Sequence, residues 1–235
     1  MPPAEQRAER ILDAAADLVL RWGAKRVTVE EVARHAGVGK GTIYLHFATR
    51  ESLFVRVLMR ESLGLVDELV AAMRRDPAAV LPAEQARSTY LAVLRRPLLR
   101  AMFSRDIDVL GDLATKTAAD PLRVLKADLA VELLRLLREH RLLRADTTLE
   151  VQLYTLNAVQ TGFYLSVPLR AGSLAPETAA DALARTIRDA VQTPRCAEPA
   201  ALAAVAPVVT GMYQRFRVAL ATAVTDGPYD RQRSS

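Results

Sequence analysis

One stretch, Val27–Leu53 (VTVEEVARHAGVGKGTIYLHFATRESL), constrains the fold of this chain more than any other. Thr28 and Glu31 stand at capping-box spacing: the hydroxyl accepts from the N3 amide while the carboxylate reaches back to the cap. The spacing predicts a helix over Val29–Ala36. Gly37 falls where a helix ends in a left-handed residue, the conformation glycine adopts at least cost. Val38 follows as an apolar plug, and a second helix is predicted to start near Lys40. Ala33 is small where the two helices would cross. Two short helices joined by a glycine turn form a helix-turn-helix unit, whose second helix enters the DNA major groove.

Periodicity sorts the second helix. Ile43 and Phe47 are apolar at i,i+4 spacing and would pack on Val29, Val32 and Ala36. Lys40 with Tyr44, and Thr42 with His46, share the opposite, outward surface. An ammonium, a hydroxyl, a phenol and an imidazole together can donate to phosphates and base edges. From Val32 through Arg50 the sequence contains no Asp or Glu, as a polyanionic partner requires. Arg50 lies in the first turn of the next helix, where the macrodipole disfavours a cation, and a phosphate contact would offset that cost.

The run GTIYLHF followed by ATRESL extends the match. The segment resembles the TetR family of bacterial transcriptional repressors at Thr28, Val32-Ala33, Ala36-Gly37-Val38, Gly41-Thr42, Tyr44, His46-Phe47, Glu51 and Leu53. Gly39 stands where that family has a capping Ser, a change expected to cost a few tenths of a kcal/mol, and Arg50 where it has Lys. The similarity covers about the first 55 residues. It implies DNA contacts from Thr28, Lys40, Gly41, Thr42, Tyr44, Leu45, His46 and Arg50. It also implies a homodimer on a near-palindromic double-stranded operator and release by a small-molecule effector.

The rest of the chain reads as helices. Hydrophobic residues make up 51% and charged residues 25% of the 235 positions, the balance of a folded chain. Strand-like alternation is scarce, so the expected fold is all-α: a three-helix head plus a larger helical ligand-binding and dimerisation body. The expected division is a DNA-binding domain over 1–50, an effector-binding and dimerisation domain over 51–225, and a disordered tail over 226–235. A net charge of +5 is compatible with nucleic acid without requiring it.

Glu5–Trp22 carries one apolar stripe that ends on Trp22, read as a plug of the head core. Thr49 caps a helix to about Met73, roughly 36 Å long at ~1.5 Å per residue, which links head to body. Asp76-Pro77 breaks it. Pro82–Arg95 and Leu98–Phe103 follow, then an irregular stretch over Ser104–Ala119 that contains Gly111. Pro121–His140 is amphipathic, and Thr147 or Thr148 caps the next helix. That helix, about 149–167, is apolar nearly all round and stops at Pro168 and Gly172. With 176–192, which presents Ala179, Leu183, Thr186, Ile187 and Ala190, it is expected to complete a four-helix bundle with a second copy. A further helix over Ala200–Val224 is expected to bend at Pro207.

No catalytic or metal motif is present, and no cofactor or metal is expected; the chain is read as not an enzyme. Asp106 and Asp108 are i,i+2 and do not face each other on a helix. The solitary Cys196 is read as an inert thiol in a reducing cytoplasm. The N-terminus lacks a signal-peptide core, and no segment has the ~18 apolar residues of a membrane span. Effector candidates in the body are Tyr90, Met102, Phe103, Tyr154, Asn157, Gln160, Phe163 and Tyr164. A helical protein-interaction module without DNA binding is the alternative reading; an all-α enzyme is a third.

Overall fold

Helix boundaries fall where the capping chemistry places them. The computed structural model describes residues 3–104, 106–110, 121–167, 174–193 and 197–225. In chain order the helices are α1 Pro3–Trp22, α2 Val29–Ala36, α3 Lys40–His46, α4 Arg50–Arg75, α5 Pro82–Leu94, α6 Pro97–Phe103, α7 Ile107–Leu110, α8 Pro121–Glu139, α9 Leu149–Leu165, α10 Pro176–Val191 and α11 Pro199–Thr225. A 3₁₀ turn, Pro77–Val80, joins α4 to α5 and was not foreseen. Among the described residues there is no strand. An isolated antiparallel bridge pairs Leu143 with Gln192, and the fold is all-α as expected.

The expectations for Cys196, Gly111, Pro168, Gly172 and the tail 226–235 lie outside the described residues, as does most of Ser104–Ala119. Of the Asp106 and Asp108 pair, only the Asp106 side chain is described; its Oδ1 accepts from the Val109 amide at 3.2 Å.

Two apolar cores organise the helices. The first gathers Ile11, Leu12, Ala15, Leu18 and Val19 of α1, Val32 of α2, Ile43 of α3 and Leu53–Leu58 of α4. Leu98, Leu110, Phe216 and Leu220 from the body also enter it. The second is built from the far half of α4, α5, α8, α10 and the first half of α11.

α4 serves both cores. Its 26 residues span about 39 Å. Thr49 caps it as expected, accepting from the Ser52 amide at 3.0 Å while the Ser52 hydroxyl oxygen accepts from the Thr49 amide at 3.0 Å.

α11 lies along α4 and is a single helix through Pro207. Val205, Val209 and Met212 belong to the body core, Phe216 and Leu220 to the head core. The Tyr213 hydroxyl donates to Gln85 Oε1 at 2.6 Å, and Gln85 Nε2 donates to the Val80 carbonyl at 2.8 Å. This chain ties α11 to the start of α5. Arg217 pairs with Asp67 of α4.

On α9, Val151, Tyr154, Ala158, Thr161 and Leu165 form one stripe that the single chain leaves exposed, with Tyr154 75% exposed. Two expectations need correction. Trp22 is 45% exposed and does not plug the head. Gly23 turns the chain at φ 76°, and the fully buried Val27 fills the head core instead. The second is the Ala179, Leu183 and Ile187 face of α10, which packs inside the chain along α5. Ion pairs Arg87–Asp181 at 2.6 Å and Arg188–Glu84 at 2.7 Å flank that contact. The face that α10 leaves to solvent carries Thr178, Ala182, Thr186 and Asp189.

Candidate nucleic-acid interface and effector core

The head is assembled by local chemistry. Thr28 is extended at φ −99° and ψ 159°, so its Oγ1 accepts from the Glu31 amide at 3.2 Å. Glu31 Oε2 in turn accepts from the Thr28 amide at 2.8 Å and hydroxyl at 2.9 Å. Those bonds, the backbone one foremost, hold the Glu31 carboxyl below the usual glutamate range. Thr28, expected at the DNA surface, therefore has its hydroxyl engaged in the cap.

Gly37 adopts φ 66° and ψ 38°, and nothing lies within 4 Å of where its Cβ would be. Its glycine is required by backbone conformation, not by space. The Val38 amide then reaches back to the Ala33 carbonyl at 2.9 Å. α3 starts after Gly39, which supplies no side-chain cap, as its sequence implies.

Ile43 and Phe47 are 1% and 2% exposed and anchor α3 on the head core. This inward pair aims the other residues outward. Lys40, Gly41, Tyr44 and Leu45 are exposed, Thr42 and His46 half-buried. Leu45 is 83% exposed, far beyond what a core-packing leucine shows. Open space surrounds Gly41 where a side chain would stand. The sequence-predicted residues of α3 thus converge on one surface.

Two charges are placed in ways the sequence did not disclose. Lys40 forms an ion pair with Glu30 of α2, which lies just outside the acid-free run. Hydrogen bonding between them pulls the Glu30 carboxyl below its ordinary range and raises the lysine. Arg50 turns inward: its Nε donates to the Val27 carbonyl at 2.8 Å, and its Nη2 donates to the Ala24 carbonyl. Its guanidinium carbon sits 5.0 Å from the Phe54 ring centroid. Backbone carbonyls of the α1–α2 loop, with Glu51 Oε1 3.5 Å from Nη1, compensate this cation in the first turn of α4. A pairing across 23 residues leaves no local sequence signal.

Of the effector candidates, the structure unites one group. Tyr90 is fully buried, with Tyr164 5.4 Å and Phe163 6.4 Å away between ring centroids. Phe103 is 4.7 Å from Tyr164, and Lys126 Nζ stands 5.3 Å from the Phe103 ring. Met102 is half-buried and packs against both cores, and Gln160 is half-buried. Tyr154 and Asn157 are exposed and do not join the group. Tyr154 lies on the outward stripe of α9.

The Tyr164 hydroxyl is buried without a hydrogen-bond partner, and burial pushes its ionisation well above the usual phenol range. A separate cavity of about 540 Å³, bordered by Leu81, Leu142, Leu202, Arg144 and Arg188, lies at the end of α4 remote from the head. Among the described residues no three His, Cys, Asp or Glu side chains gather as a metal site. No described helix is long and apolar enough to cross a membrane.

A glycine-turned α2–α3 pair braced by α1, with a polar-faced α3 outward and a helical body behind, defines a helix-turn-helix protein. The chain matches, over residues 11–57, the family model described as "Bacterial regulatory proteins, tetR family". It is 30% identical over 117 residues to the HTH-type transcriptional regulator AcrR of Shigella flexneri, a match covering 47% of this chain and 54% of that one. The chain spans about half the length of such curated relatives.

Among solved structures, NalD, the secondary repressor of the MexAB-OprM multidrug efflux pump in Pseudomonas aeruginosa, superposes with a TM-score of 0.60. Identity there is 21%, over 83% of this chain and 100% of that one. A SmeT–triclosan complex superposes at 0.64 with 19% identity, over 80% and 93%. At these identities the likeness is one of fold.

Proposed function

We propose that the chain is a DNA-binding transcriptional regulator, a repressor that leaves its operator when a small molecule occupies the body. The observation that carries this reading is the outward surface of α3, held rigidly by Ile43 and Phe47. Lys40 and the Tyr44 hydroxyl are suited to phosphate oxygens, Thr42 and His46 to base edges, and the exposed Leu45 to a thymine methyl. Gly41 lets the backbone approach closely. Thr28 and Arg50 act behind the surface: one starts α2, the other locks the α1–α2 loop onto α4.

On this reading residues 1–50 bind DNA, residues 51–225 respond to effector and dimerise, and the protein works in the cytoplasm beside its operator. The α9 stripe, extended by the polar face of α10, seats a second copy, so that two heads meet two half-sites. Tyr90, Met102, Phe103, Gln160, Phe163 and Tyr164 form the effector wall. The SmeT–triclosan complex, a structure of the same fold with a small molecule bound, supports a ligand-responsive body. An effector shifts DNA affinity only by binding the DNA-incompatible state more tightly.

The test is duplex selection from a random pool, followed by anisotropy titration of the selected sequence across salt. Binding that weakens steeply as salt rises is expected. Failure to enrich any duplex would remove the DNA-binding reading and favour a head that docks on protein.

A further inference from the structure

One polar atom in the body is stranded. Tyr164 is 3% exposed and its hydroxyl has no hydrogen-bond partner, whereas buried hydroxyls in folded proteins are nearly always paired. Its ring packs beside Tyr90 and Phe103. Phenylalanine would make those ring contacts without a hydroxyl to satisfy. Burial keeps the phenol in its neutral form, so it stands ready as a donor. The flanking surfaces are aromatic faces. The Lys126 ammonium stands over the Phe103 ring at 5.3 Å.

We propose that the Tyr164 hydroxyl is the polar anchor of the effector site, donating to an acceptor oxygen on an otherwise apolar, ring-bearing ligand. The inference rests on the effector-responsive reading above and specifies its chemistry. A neutral hydrogen bond made in a dry site contributes a factor of about five to ten in affinity. The rings supply the remaining attraction through area and edge-to-face geometry.

The experiment uses the full chain and two probes of matched shape: 2-acetylnaphthalene, which carries a ketone oxygen, and 2-isopropenylnaphthalene, which does not. Calorimetry measures the ratio of their dissociation constants in the wild type and in Tyr164→Phe. Comparing ratios cancels the difference in hydrophobicity between the probes. The expected result is that Tyr164→Phe lowers the preference for the ketone by about five- to tenfold and leaves alkene affinity unchanged. Ligand-free Tyr164→Phe should melt at or above the wild-type temperature, since it loses an unpaired hydroxyl. An unchanged ratio overturns the anchor while leaving a ligand-binding body intact. A lower melting temperature for the ligand-free variant also overturns it, because the hydroxyl would already be paired. Absence of binding by either probe to the wild type counts against the effector reading itself, and the anchor falls with it.

Discussion

Glu30 is an acid at the edge of a surface proposed to meet phosphates, and it holds the lysine that would meet them. Replacing it by glutamine removes both the competing partner of Lys40 and a charge repelled by DNA. A carboxylate about 6 Å from a phosphate in water interacts on the order of thermal energy, a factor of about three in affinity per head. Two heads on one operator give roughly tenfold at low salt. Screening over a Debye length of about 10 Å reduces this to about three- to fourfold near 0.1 M.

Glu30→Gln should therefore bind operator more tightly than wild type, by a margin that shrinks with added salt. Its melting temperature should stay unchanged, because exposed pairs add little stability. The Lys40 hydrogen bond holds the Glu30 carboxyl below its ordinary range in the free protein; on DNA the lysine leaves it for phosphate, so the difference shrinks as pH falls through the ordinary glutamate range and vanishes below it. The companion variant Lys40→Ala should lower the slope of log affinity against log salt by about 1.8, two lost phosphate contacts at about 0.9 each. Anisotropy titrations at several salt concentrations measure both. Equal or weaker binding by Glu30→Gln, with an unchanged slope for Lys40→Ala, refutes this placement of α3 on DNA.

Arg50→Leu should destabilise the protein by about 2 kcal/mol in urea titration, through charged bonds lost to the Val27 and Ala24 carbonyls, without changing the salt slope of DNA binding. Tyr154→Glu should yield a monomer in sedimentation with unaltered helicity, since that side chain is 75% exposed in the single chain; a persistent dimer would move the interface elsewhere. Leu220→Ala, at a fully buried position, should cost about 2–5 kcal/mol in the same urea assay. Glu68 joins α4 to Arg95 and Arg96, and the Arg96 hydrogen bond foremost holds its carboxyl below the ordinary range. Its contribution is complete above the ordinary glutamate value and is lost as pH falls through the depressed one. Stability against pH should accordingly decline less steeply in acid for Glu68→Gln than for wild type.

What could be read from the chain in advance follows a physical division. Thr28–Glu31, Gly37 and Thr49 act within four residues, and their helix boundaries were legible because capping is local. The inward pair Ile43 and Phe47 was legible by period alone. Arg50 was not: its acceptors lie in a loop brought near only by the fold. Glu30 escaped notice because it lies two residues before the acid-free run yet sits opposite Lys40 once α2 and α3 cross. Tyr154 and Trp22 show the limit of hydrophobicity as a guide. An apolar side chain on a helix marks a face, but which face meets solvent depends on neighbours distant in sequence. Tyr164 was among the effector candidates, and only the coordinates reveal that its hydroxyl is stranded.

α11 has a consequence for how motion passes between the two ends of the molecule. It runs beside α4 with one end embedded in each core, so α4 is splinted along one flank. Any swing of α4 that reorients the α2–α3 end must carry α11 with it or shear Phe216 and Leu220 out of their seats. The pair therefore moves as one double-thickness lever. Cutting the chain before Pro199 would leave the lever single, with an apolar trough along its side.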